Sequence, residues 1–121
     1  MVTGMLIAES LRVGAELNVV PLHVTRIWRG DVGSPPAGQP KVWTVLHFEA
    51  DDDSAARLGE SLAKALDEGP WYVDFNTADE KFVVFAGKVF SYRSGDEAGR
   101  AAALGHAATI GIPEDQMDWS V

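Results

Sequence analysis

Lys88 lies in FVVFAGKVFSYRSGDE, residues 82–97, between Val84 and Phe85 on one side and Val89 and Phe90 on the other. A lysine in such apolar company could serve as an amine nucleophile or base, provided that burial or a second cation depresses its pKa. The sequence offers the burial and no neighbouring cation. Gly87 permits a tight reversal and strand-forming residues flank it, so the stretch also reads as a hairpin turning at Ala86-Gly87. Lys88 would then carry its charge to water along its own stem. The hairpin is the preferred reading.

The other groups that could do chemistry are scattered. His23, His47 and His106 make neither an HxH nor an HxxxH pair, so no metal site is expected. His106, on an alanine-rich helix, is expected to be partly buried with one hydrogen bond. No GxSxG elbow, Walker-type lysine loop or GxGxxG is present, and the glycines of GDVGSPPAG are interrupted by prolines. Asp51-Asp52-Asp53 does not continue with the alternating ligands and final glutamate of a calcium loop, and is expected to cap a helix. The pairs Asp67-Glu68, Asp79-Glu80, Asp96-Glu97 and Glu114-Asp115 fall at expected turns or caps, where solvated charge explains them. No cofactor is expected.

The elements that would position these groups can be read from periodicity. Residues 9–17 alternate Leu11, Val13, Ala15, Leu17 against Ser10, Arg12, Gly14, Glu16, which predicts a strand; 22–29 and 41–49 are two more. GDVGSPPAGQP between them is a loop. SAARLGESLAKALDEG spaces Ala55, Leu58, Leu62 and Leu66 as the stripe of a helix that Gly69-Pro70 stops. PWYVDFN predicts a strand with Trp71, Val73 and Phe75 on one face, Tyr72 and Asp74 on the other. After the hairpin, Ser94-Gly95-Asp96 should cap a second helix closed by Gly111. PEDQMDWSV makes a turn that frees Met117 and Trp119 to dock on the body. The order βββαβββα, with no βαβ alternation, predicts a single α+β domain over 1–121: a two-layer sandwich of a mostly antiparallel sheet with two helices on one face.

A sheet covered on one side should alternate apolar with polar. Here Trp43 and Val45 oppose Val42, Leu46 and Phe48, and Ile27 opposes Val24 and Trp28. The uncovered face would carry Ile27, Trp43, Val45, His47, Tyr72 and Asp74, a patch fit for an interface or a ligand groove. The alternative is that the Pro/Gly loop and Trp119 fold across it.

Composition narrows the function classes. With 46% hydrophobic and 23% charged residues the 121-residue chain belongs among globular domains and can remove about two-thirds of its unfolded surface from water. Without cysteine it forms no disulfide and no thiolate metal site. A net charge of −8 with dispersed bases repels phosphate backbones, so nucleic acid is not an expected partner. No apolar run approaches a membrane span and MVTGMLIAES lacks the makings of a signal peptide, so a cytoplasmic protein with no membrane attachment is expected.

WYVDF, FVVFAGKVFSYRSGD and the ending GIPEDQMDW resemble a family of small uncharacterised actinobacterial proteins. The resemblance implies a shared domain after residue 5 and no catalytic residue to carry over. It singles out Asp74, Lys88 and Arg93 as the polar members of the shared stretch. The leading expectation is a non-enzymatic domain that self-associates as a homodimer, or binds a protein, through the helix-free face. A second is a ligand-binding or enzymatic dimeric α+β barrel in which His47 or Asp74 acts as base and Arg26 holds an anion beside Trp43 and Tyr72. A third is an immunity- or antitoxin-like acidic protein that neutralises a basic partner.

Overall fold

The computed structural model describes residues 1–121. The β-branched and aromatic stretches form β1 (Val2–Ile7), β2 (His23–Asp31), β3 (Val42–Ala50), β4 (Val73–Asn76), β5 (Glu80–Phe85) and β6 (Lys88–Arg93). The two alanine-rich segments form α1 (Ala55–Ala65) and α2 (Glu97–Thr109). All six strands join one antiparallel sheet in the order β2-β3-β1-β4-β5-β6, giving an α+β fold with the expected element order. No helix is long and apolar enough to cross a membrane.

The first strand is not where alternation places it. Residues 9–17 form no strand; Ala8–Ser10 is a 3₁₀ turn, Leu11 makes one bridge to Leu66, and Val13 is fully exposed. Alternation there decorates a surface segment, whereas Val2 and Leu6 of β1 sit in the core. The turn is held by Ser10, whose Oγ donates to the Ile7 carbonyl at 2.5 Å, and by Glu9. Beyond Ile7, β1 no longer reaches β3, and the Glu9 carboxylate takes its place. It accepts from Thr44 N at 2.5 Å and Thr44 Oγ1 at 2.9 Å, and Arg29 lies 3.3 Å away.

The expectation of two helices on one face is also corrected. In β5, Phe82 and Val84 point to α1, packing with Leu58, Leu62, Phe75 and Phe48. Val83 and Phe85 point the other way, into a second cluster with Ala103 and Ala107 of α2, Tyr92, Ile112 and Trp119. Because strand side chains alternate, the two helices lie on opposite faces. A short connection from β6 leaves α2 room to turn to either face; what selects this one is the apolar pair Val83 and Phe85, matched to a helix of small residues. Gly99 lets α2 come so near that a Cβ there would meet the Tyr92 Cβ at 2.3 Å. Each fully buried leucine or phenylalanine in these clusters contributes about 1.5–3 kcal/mol of transfer free energy.

Several local expectations hold. Ala86-Gly87 turns the β5–β6 hairpin, with Gly87 at φ +72°, and Phe85 pairs with Lys88 across it. The Asp96 side chain caps α2 by accepting from Gly99 N at 3.1 Å. Gly111 closes it at φ +84°, with Ile112 N reaching back to the Ala107 carbonyl. The aspartate triplet behaves differently. It makes a 3₁₀ turn ahead of α1 with no side-chain cap; Asp52 pairs with the N-terminal amine at 2.7 Å. The strand expected over 70–76 is shortened to β4, though Trp71, Val73 and Phe75 are buried as its pattern requires.

Candidate functional site: the uncovered end of the sheet

On the face that α2 shares, cover is partial. α2 and the C-terminal tail shield the β4–β6 end, where Trp119 is buried 4.9 Å from the Tyr72 ring. The β1–β3–β2 end is left without a helix. Register places Trp43, Val45 and His47 of β3 on this open face, beside Met5 and Ile7 of β1 and Arg26 and Trp28 of β2. Val45, flanked in register by Ile7 and Trp28, is buried, while Met5 and Trp28 remain 44% and 40% exposed.

Ile27 does not share this face. Val24 pairs with Phe48 and Arg26 with His47, so Thr25 is an extra residue, a β-bulge. One inserted residue reverses the side-chain parity of the rest of the strand. Ile27 therefore joins Val24 on the α1 side, beyond the helix's reach, and is 66% exposed. As the sheet's terminal strand, β2 is uncovered on both faces and unpaired along one edge.

Between the open and covered halves lies a cleft of about 210 Å³. Trp43 and Trp71 form one wall, with ring centroids 5.6 Å apart and planes tilted by 54°. The Trp43 indole N–H donates to the Pro40 carbonyl, and Gln39 Nε2 donates to Pro70 O at 2.7 Å. These bonds bring the Pro/Gly loop against Trp71 but not across the open face. Asp74 of β4 and Asp115 and Asp118 of the tail line the same cleft, together with Tyr72. The Tyr72 hydroxyl donates to Asp118 Oδ1 at 2.7 Å and lies against the Gln116 carbonyl. Burial, with the Asp118 hydrogen bond and charge behind it, pushes the Tyr72 phenol far above its ordinary value. Burial also raises Asp74, and the charge of Asp118 adds to it; Lys81 acts in the opposite sense.

Of the expected site residues, the fold therefore gathers Trp43, Tyr72 and Asp74. Arg26 and His47 share the open face but do not line the cleft. Lys88 is an exposed hairpin residue, its Nζ 5.5 Å from the Phe90 ring centroid, and Arg93 is exposed at the far end of β6. His106 packs edge-on against Phe85 at 4.7 Å, and its ring makes no hydrogen bond, contrary to the one expected. Sequence reasoning misses Asp115, Gln116 and Asp118. The docking of the tail through Trp119 is legible, and it carries these neighbours to the cleft.

Chemically, the cleft presents oxygen acceptors, carboxylates and π faces. No basic side chain lines it, and none of its carboxylates makes a salt bridge. Comparison with protein-family models, curated proteins and solved structures finds no match for the chain.

Proposed function

We propose that this domain is a non-catalytic module that docks protein through the uncovered β1–β3–β2 end of the sheet face that α2 shares, with a second copy of the chain at the free edge of β2. The observation that carries this reading is β2 itself: nine residues at the sheet's end, with Val24, Ile27 and Trp28 at 44%, 66% and 40% exposure. A long unpaired edge is a template for strand addition; Arg26, Arg29, Asp31 and the bulge at Thr25 blunt this one in part, and the three exposed apolar side chains Val24, Ile27 and Trp28 leave it able to pair. The bulge at Thr25 limits pairing to the stretch from Arg26 onward.

Self-complementarity supports the second copy as occupant. An antiparallel pairing about a two-fold axis at Ile27 sets Ile27 against its mate and Arg26 against Trp28, a cation over an indole. Centring on Arg26 or Arg29 would oppose like charges, and centring on Trp28 would oppose Ile27 to Arg29. Enzymatic readings gain less support, because His47 and Arg26, cast as base and anion holder, stand outside the cleft that holds Asp74. Light scattering on the eluting protein tests the reading. The chain is expected at twice 13.0 kDa at micromolar concentration, and Ile27→Lys at its monomer mass with unchanged circular dichroism. A wild-type monomer at high concentration overturns it.

A second reading, an immunity- or antitoxin-like acidic protein, is favoured by the net charge of −8 and by the unpaired carboxylates of the cleft. It requires no dimer.

A further inference from the structure

We propose that the Trp43–Tyr72–Asp74 cleft is the receptor for one arginine or lysine side chain projected by a basic protein partner, which spreads its neighbouring apolar residues over Met5 and Trp28. This rests on the reading of the domain as an acidic protein that neutralises a basic one, and names the chemistry of that partner; it does not depend on pairing at β2.

Four observations converge. Three carboxylates, those of Asp74, Asp115 and Asp118, line one small cleft together with the Gln116 segment. The molecule's three ion pairs, at Asp52, Glu9 and Asp31, all lie elsewhere, so no salt bridge neutralises this concentration of negative charge; the Lys81 charge offsets it in part at Asp74, and the Tyr72 hydroxyl donates to Asp118. Asp74 is half-buried, while Asp115 and Asp118 are exposed; a carboxylate partly withdrawn from water without a salt bridge carries a cost in the folded protein that a partner's cation would offset on binding. The raised proton affinity of Asp74 reflects the same unmet demand.

The same cleft is lined by two indoles, Trp43 and Trp71, with planes tilted by 54°; Trp71 is buried, and Trp43 is the more accessible ring. Aromatic faces attract ammonium and guanidinium groups by their quadrupole, most strongly when tryptophan supplies the ring. Acid and tryptophan lining one cleft repel anions and welcome cations. The electrostatic complement is organic and positive.

Size selects a side chain over a metabolite. At about 210 Å³ the cleft falls below the roughly 300–1,000 Å³ of small-molecule sites. Its surroundings select a protein over a free cation: Met5 and Trp28, 44% and 40% exposed, continue the same face outward. Apolar surface around a charged socket is what the core of a protein interface offers to an arginine anchor.

The test is a solution NMR titration of the intact chain with three probes: N-acetyl-arginine amide, its neutral isostere N-acetyl-citrulline amide, and a short peptide with one arginine between leucines. The arginine amide should shift the indole N–H signals of Trp43 and Trp71 and the amides of Tyr72, Asp74 and Asp118, and citrulline should not. The leucine-flanked peptide should bind about tenfold more tightly than the amide, equivalent to about 1.4 kcal/mol. Asp74→Asn should weaken both by a similar factor. Asp115→Asn, in the exposed tail, is the second variant should Asp74→Asn disturb the fold. Shifts spread over Asp51–Asp53 and other surface acids, equal shifts with citrulline, or a peptide no tighter than the amide would each overturn the proposal. Repeating the titration on Ile27→Lys separates this outcome from that of the edge. Cleft shifts in a monomer leave the socket standing without the dimer, and a dimer without cleft shifts does the reverse.

Discussion

Two carboxylates with opposite proton affinities show how position sets the role of a residue here. Burial alone would raise the Glu9 pKa, but hydrogen bonds from Thr44, from its own backbone and the nearby Arg29 charge bring it below the ordinary value. Its stabilising contribution is present above the unfolded-chain glutamate value and is lost as pH falls through the lower folded value. Glu9→Ala, which strips Thr44 N of its acceptor, should cost about 1–3 kcal/mol at neutral pH. Urea titrations should show the deficit shrinking toward acid pH. Asp74 is raised by burial and by Asp118, so the sign reverses. Stability is greater below the ordinary aspartate value and declines as pH rises through the higher folded one. Asp74→Asn should therefore raise the neutral-pH melting temperature by a few degrees, a gain on the order of 1 kcal/mol, and flatten that slope. An Asp74→Asn melt lower than wild type at every pH would contradict this account of the site.

At the scale of elements, β2 carries the sharpest consequence. The chain has no cysteine, so Ile27→Cys introduces one thiol at the position that would face its own mate in the proposed pairing. Mild oxidation should yield a disulfide-linked dimer, whereas Val24→Cys, before the bulge, should not. Equal cross-linking of the two would point to random collision. The same bulge explains what the sequence could and could not disclose. β3, α1, the Gly87 hairpin and the Asp96 cap are legible because strict period or a turn residue marks each. Alternation assigns Ile27 to the wrong face because a bulge leaves no signature in HVTRIWRG, and one extra residue inverts everything after it. Residues 9–17 alternate as well as any strand, yet they open in a 3₁₀ turn, turn again at Gly14 and leave Val13 wholly exposed: a period of two over nine residues does not by itself make a strand. Helix placement is hidden for a related reason. β5 reads apolar at Phe82, Val83, Val84 and Phe85 alike, and such a continuous run is the mark of a strand covered on both sides.

At the scale of the molecule, charge and cover divide the surface. Two separate cores close the β1, β3 and β4 part of the α1 face and the β4–β6 end of the other, leaving uncovered β2 on both its faces, the Met5–Trp28 patch and the acidic cleft. Tyr72, Trp43 and Asp74 can be placed there from strand parity, but Asp115 and Asp118 arrive through tertiary docking of the tail, which no local period encodes. The central claim is that this uncovered region is a protein-docking surface with β2 as its pairing edge. Amide hydrogen exchange over 23–31, followed against protein concentration, tests it most directly. Amides of β2 that face away from β3 should become protected as concentration rises through the micromolar range, and Ile27→Lys should abolish that protection. Exchange in β2 that is fast and independent of concentration would contradict the claim.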